Sequence, residues 1–207
     1  KLPGEKDFKT AADGAIYPYG TTLKTGRKSS VVISFSDGNE CRLLARTVLT
    51  VNEDTRDKKM KTLKLAQGKV RVTLEPDFHK NNDLKVETAT AICGAVECDF
   101  TAEVNTIGGL VEAIFASIKG VIQVNLPGAS VPVIGTGASL QVTGNSNMSQ
   151  ITVSILAGTL KVLITDGDGT PREVELGAGS KITINTTRVN DTTEKVQVVI
   201  TLPDGKT

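Results

Sequence analysis

Tryptophan is absent from this sequence, and two tyrosines and five phenylalanines hold aromatics to 3% of 207 residues. Bases and sugar rings are bound on aromatic platforms, so nucleic-acid binding and glycoside hydrolysis are both disfavoured. Histidine is nearly absent too. His79 stands alone in a polar loop, with no G-x-S-x-G elbow to supply a nucleophile, so no Ser-His-Asp or Cys-His site can be assembled around it. The three cysteines lack the paired spacing of a zinc site. No apolar run approaches the eighteen or more residues of a membrane-spanning helix. Charge of one sign is lacking as well: 24 basic and 23 acidic residues leave a net +1, spread over both halves, which argues against a polyanion-binding face.

What is present is Val, Ile, Leu and Ala in short alternating runs, the material of a sheet. One pattern recurs. Gly68-Lys-Val-Arg-Val72 returns as Gly120-Val-Ile-Gln-Val124 and as Gly158-Thr-Leu-Lys-Val162. Each copy follows a strand-like run, at Thr62–Gln67, Ala113–Lys119 and Thr152–Ala157, and an earlier strand lies upstream at Leu49–Val51, Phe100–Val104 and Leu140–Val142. The unit reads strand, polar loop, strand, glycine, strand. A glycine between two such runs marks a turn or bulge, because it enters φ > 0 without steric cost.

Taken in order, Lys1 to Asp13 is a polar lead-in, and Ala15-Ile-Tyr-Pro-Tyr19 is expected as an edge strand because Pro18 cannot donate to a ladder. Ser30–Ser36 and Glu40–Ala45 form a hairpin across Asp37-Gly38. Ile107–Lys119 is ambiguous. Leu110, Ile114 and Ile118, with Val111 and Phe115, fall at helical spacing, yet the counterparts before Gly68 and Gly158 make the segment a strand opened by Gly108-Gly109. Further strands are expected at Leu84–Thr88, Val162–Thr165, Arg172–Leu176, Lys181–Asn185 and Lys195–Leu202.

Motifs with chemical potential are weak. Asp166-Gly-Asp168-Gly spaces two carboxylates as a calcium loop does, but Pro171 sits where an EF-hand needs glycine, and a hairpin turn explains it better. Paired acids such as Asp54 with Asp57, or Glu173 with Glu175, are ordinary for exposed strands and loops. Asn147-Met-Ser, Asn185-Thr-Thr and Asn190-Asp-Thr match the glycosylation pattern as expected by chance in a chain rich in these residues. The cysteines allow one disulfide, Cys93 with Cys98 or either with Cys41, or else three small buried apolar residues. In an extended strand Cys93 and Cys98 lie too far apart to bond, so that pairing requires Gly94 to fold the segment back. These residues imply no enzyme, cofactor or metal.

Leu23-Lys-Thr-Gly26, Ser29–Gly38 with its Asp37, Leu49-Thr-Val51, Leu63–Gly68 followed by Val70 and Val72, and Val86–Ala91 leading to Phe100 form an ordered series that resembles the FecR domain. The resemblance runs from Asp13 to Val124. Where the family closes on Gly-Thr-x-Phe, Glu97-Cys-Asp-Phe100 keeps only the phenylalanine, and a Gly-Thr occurs later at Gly135-Thr136, ahead of Gly158 and Leu176-Gly-Ala-Gly179. The resemblance implies an all-β, solenoid-like stack or sandwich of hairpins, with residues 14–126 as the FecR-like domain and 127–207 as a second, partial copy packed on it. It further implies an exported bacterial module, periplasmic or at the cell surface, that binds a protein partner in the envelope. Family members of this kind are the periplasmic part of a membrane-anchored regulator of a sigma factor, whose cytoplasmic segment and membrane helix are not in this sequence. The other role to weigh is a structural, envelope-associated or polysaccharide-binding β domain.

Overall fold

The computed structural model describes residues 1–36, 38–53, 60–75, 83–126, 133–145, 148–165, 171–188 and 194–206. Among them are fifteen strands and no helix. In chain order these are β1 (Thr21–Lys24), β2 (Val31–Ser34), β3 (Glu40–Leu43), β4 (Val48–Glu53), β5 (Met60–Thr73), β6 (Asp83–Glu87), β7 (Ile92–Ile107), β8 (Leu110–Asn125), β9 (Val133–Ile134), β10 (Ser139–Gly144), β11 (Gln150–Ala157), β12 (Thr159–Thr165), β13 (Pro171–Gly177), β14 (Lys181–Arg188) and β15 (Glu194–Thr201). The all-β reading therefore holds. The segment with the helical stripe is the long strand β8, in which Ala113, Phe115 and Ser117 face inward while Leu110 and Ile118 stay exposed.

The pairings resolve into two layers around one core. The first runs β2-β3-β5-β7-β8-β10-β11-β14-β15 and uses the C-terminal halves of β5 and β7 and the N-terminal half of β8. The second runs β1-β4-β5-β6-β7-β8-β9-β12-β13 and uses the opposite halves of those three strands. Between them lie Leu43, Leu49, Leu63, Leu65, Val70, Phe100, Phe115, Ile122, Leu140 and Leu160, all at or near zero exposure. Every pairing is antiparallel except that of β5 with β6.

The repeat glycines are the corners at which the chain passes from one layer to the other. Gly68 divides β5, Gly120 divides β8 and Gly158 joins β11 to β12, with φ of 86°, 81° and 71°. Each is preceded, two residues earlier, by the extra residue of a β-bulge. Leu49 pairs with Leu65 while Val48 pairs with Gln67, which leaves Ala66 unmatched. Phe100 pairs with Ser117 and Asp99 with Lys119, which leaves Ile118; Leu140 pairs with Ile155 and Ser139 with Ala157, which leaves Leu156. A bulge bends its strand and shifts the alternation by one residue. The buried series accordingly takes an odd step at every corner, from Leu65 to Val70, Ser117 to Ile122 and Ile155 to Leu160. The same step from Cys93 to Cys98 marks the corner of β7, where the register also shifts.

Tight turns lock these corners. Thr47 Oγ1 donates to the Lys69 carbonyl and accepts from the Lys69 amide, both at 3.0 Å. The Gly120 amide donates to Thr136 Oγ1 at 3.0 Å, and the amides of Gly137 and Gly179 donate to the carbonyls of Ser117 and Ile155 at 2.9 Å each. The approach is close enough that a Cβ on Gly68 would lie 2.6 Å from the Thr47 Cα, and one on Gly158 2.6 Å from the Ala138 Cβ.

One expectation is corrected here, and the cysteines follow the second of the two readings left open for them. Residues 15–19 form no strand, and Ile16 is 98% exposed: with Pro18 unable to donate, nothing pairs with the segment. No disulfide joins Cys41, Cys93 and Cys98, and all three are buried. Cys93 and Cys98 lie in β7, which runs on through Gly94 without folding back; Cys41 sits on β3 opposite Val72.

Candidate protein-interaction surface

A sheet binds another chain through unpaired strand edges and uncovered apolar faces, and the two ends of the stack are where this protein offers them. At the N-terminal end β1 is already covered: the Thr22 amide donates to the Lys1 carbonyl at 2.9 Å, and Phe8 lies under the ammonium groups of Lys1 and Lys24 at 5.9 and 5.7 Å. The other edge there, β2, is short, and Gly38 (φ 86°) closes its hairpin with β3, the Phe35 amide donating to the Asn39 carbonyl at 2.9 Å. Asp37 lies outside the described residues.

The C-terminal end is different. Among the described residues β15 pairs only with β14, and β13 only with β12, so both layers finish on an open edge. Val198 lies opposite Ile184 and Ile200 opposite Ile182; both partners are buried in the core, so the β15 residues face the same interior. Val198 is nevertheless 50% exposed, and among the described residues no strand of the second layer lies beneath it. Leu202, just beyond β15, is 40% exposed, and Val174 on β13 is half-buried. On the outer face of β13 are Glu173, which accepts from Lys161 Nζ at 2.8 Å, and Glu175, which lies opposite the same lysine. The hydrogen bond from Lys161 to Glu173 raises the lysine pKa, and the charges of Glu173 and Glu175 add to the effect.

The broad outer face of the first layer carries a shallow groove of about 450 Å³ lined by Glu40, Arg42, Leu44, Arg71, Thr73, Thr101 and Ile118. Arg71 is held by a two-pronged contact to Asp99, Nε to Oδ1 at 2.9 Å and Nη2 to Oδ2, which raises the guanidinium pKa. A smaller hollow of about 260 Å³ lies over Glu87–Ile92, Asn125 and Leu126, with Glu87 the one carboxylate among its described lining residues. Neither brings an acid and a base together around a nucleophile. Among the described residues no cluster of His, Cys, Asp and Glu is able to hold a metal.

The other residues marked in the sequence are dispersed. Phe100 is fully buried, while Gly135 and Thr136 lie in the turn that locks the Gly120 corner. His79, Asp54, Asp57, Asp166, Asp168, Asn147 and Asn190 lie outside the described residues. The cysteines are packing groups: burial pushes the Cys41 thiol up to about 12, and burial followed by the nearby Cys98 pushes Cys93 well above its ordinary range. Sequence reasoning missed the exposed aliphatics of the C-terminal end. Their alternation was legible, but the absence of an opposing strand was not.

The architecture has known counterparts. Residues 21–117 match the family model described as FecR protein. Two crystal structures of a "putative anti-sigma factor" from Parabacteroides distasonis share the fold, with TM-scores of 0.50 and 0.51 at 14% identity. The match takes in 76% of this chain and 60% of theirs, so this chain spans less than two thirds of that protein. No curated protein matches. Among the described residues no helix is long and apolar enough to cross a membrane.

Proposed function

We propose, from residues 21–117 being a FecR-type segment, that this chain is a non-catalytic signalling module of the bacterial envelope that binds a protein partner through the open C-terminal end of its stack. The anti-sigma description of the structures that share its fold supports a place in sigma-factor regulation. The observation that carries the reading is that β13 and β15 each have one edge unpaired among the described residues, beside the half-exposed Val198, a combination of free backbone groups and apolar surface suited to strand addition. We read residues 127–207 as a partial second copy of the 14–126 unit, packed on it; the like geometry at Gly68, Gly120 and Gly158 supports this. Export to the periplasm or cell surface follows from the same reading.

Affinity capture of the purified chain against an envelope extract of its own organism, with bound proteins identified by mass spectrometry, tests the role. Recovery of a receptor's signalling domain or a sigma-regulatory protein is expected. Recovery of glycan or wall material alone, or of nothing, overturns it.

A further inference from the structure

The open end is more specific than an edge. In the first layer β15 extends one strand beyond β14, whereas the second layer stops at β13, from which the chain turns through 177–180 into β14. Neighbouring strands of a sheet lie about 4.8 Å apart, so the overhang is one strand wide. Its roof is the inward face of β15, with Val198 and Ile200, joined by Leu202. Its side wall is the free edge of β13, with Val174 turned to the core and Glu173 and Glu175 turned to solvent. Among the described residues Lys161 alone faces these two carboxylates across β12 and β13, so on this face of the strand pair acid outnumbers base.

We infer that this slot receives a single extended segment of the partner protein, which pairs with β13 as an added strand of the second layer. The chemistry of the slot sets the segment's pattern. Residues at alternate positions are aliphatic and cover Val198 and Ile200; the intervening residues face solvent beside Glu175, and lysine or arginine fits there. Backbone pairing gives affinity, and the alternate side chains give specificity. The inference rests on the proposed role as a protein-binding module and adds to it the place, the conformation and the sequence pattern of the ligand.

The test uses the whole 207-residue protein and a fluorescein-labelled peptide, capped at both ends, in which valine alternates with lysine and threonine. A peptide of the same composition with its valines contiguous is the control. Fluorescence anisotropy is expected to show saturable binding of the alternating peptide only, with amide protection gained along Pro171–Gly177. Val198→Asp is expected to weaken binding at least about tenfold, whereas Val32→Asp on β2 leaves it unchanged. Glu175→Lys should shift the preference to a peptide with glutamate in place of lysine. Equal binding of the control peptide, protection at β2 or along β15 instead of β13, or indifference to both Val198→Asp and Glu175→Lys overturns the slot. A dimer of the protein that Val198→Asp dissociates also overturns it, since a second copy would then be the occupant. If the slot fails while an envelope signalling protein is still captured, the proposed role stands; if capture fails as well, both fall.

Discussion

The two ends of the strand stack are finished differently. At the N-terminal end the backbone at Lys1 covers β1, and Leu23, Val31, Ile33 and Phe35 pack partly buried against the core. At the C-terminal end the layers stop out of step, so that among the described residues no strand covers the inward face of β15 and none adjoins β13 beyond β12. The mismatch arises at this end itself. The layers are in step at β7 and β8, which run through both; beyond β8 the first layer continues through β10, β11, β14 and β15, and, among the described residues, the second through β9, β12 and β13 alone. Finishing a layered sheet therefore takes two things, a covered edge and a covered face, and among the described residues the β1 edge has both.

The corners test whether the two ends belong to one cooperative unit. Gly68→Ala and Gly158→Ala each force a Cβ into backbone or side-chain atoms at 2.6 Å and place a non-glycine residue at positive φ. Each is expected to cost about 3 kcal/mol. Calorimetry should show a single transition lowered by either variant; two transitions, with Gly68→Ala lowering only one and Gly158→Ala only the other, would divide the stack into independent halves.

A second contrast comes from pH. The pKa values of Cys41 and Cys93 are raised by burial, so the folded state keeps protons that the unfolded state loses above about pH 9. The stability they contribute is full below that pH and is lost as pH rises towards the folded values, by up to about 1.4 kcal/mol per pH unit for each thiol. Urea denaturation between pH 8 and 11 should show the decline, and Cys41→Ala should make it shallower. An unchanged slope in that variant would mean that Cys41 ionises alike in both states.

Removal of residues 1–20 should make the covered end resemble the open one. The loss of the Lys1 backbone partner frees the edge of β1. Concentration-dependent association is expected in sedimentation, with little change in the melting temperature. A strictly monomeric truncation would show that the lead-in has no edge-protecting role.

The smallest effect is expected at the surface ion pairs. Arg71→Ala removes the contact to Asp99, and Lys161→Ala the one to Glu173, all at exposed or partly exposed positions where solvent screens the charge. Neither should shift the thermal midpoint measurably; a clear drop for Arg71→Ala would mark the groove beside it as tightly coupled to the core.

The sequence by itself determined the β class and the corners. Alternating aliphatics can bury only one face of a strand, and a glycine that repeats between two such runs marks the place where the backbone needs positive φ. Both are local properties, and so Gly68, Gly120 and Gly158 were legible as breaks before any strand had been placed. The bulge residues Ile118 and Leu156 lie within runs read as strands, Ile118 also on the apolar stripe of its segment. Their exposure comes from an extra residue that only pairing with β7 and β10 reveals. Tertiary structure alone decided the parallel entry of β6, the burial of three thiols without a bridge, and the overhang of β15. The reason is physical. A strand's own residues fix which of its faces is apolar, whereas the strand that lies opposite is chosen by loop closure and packing across the whole chain.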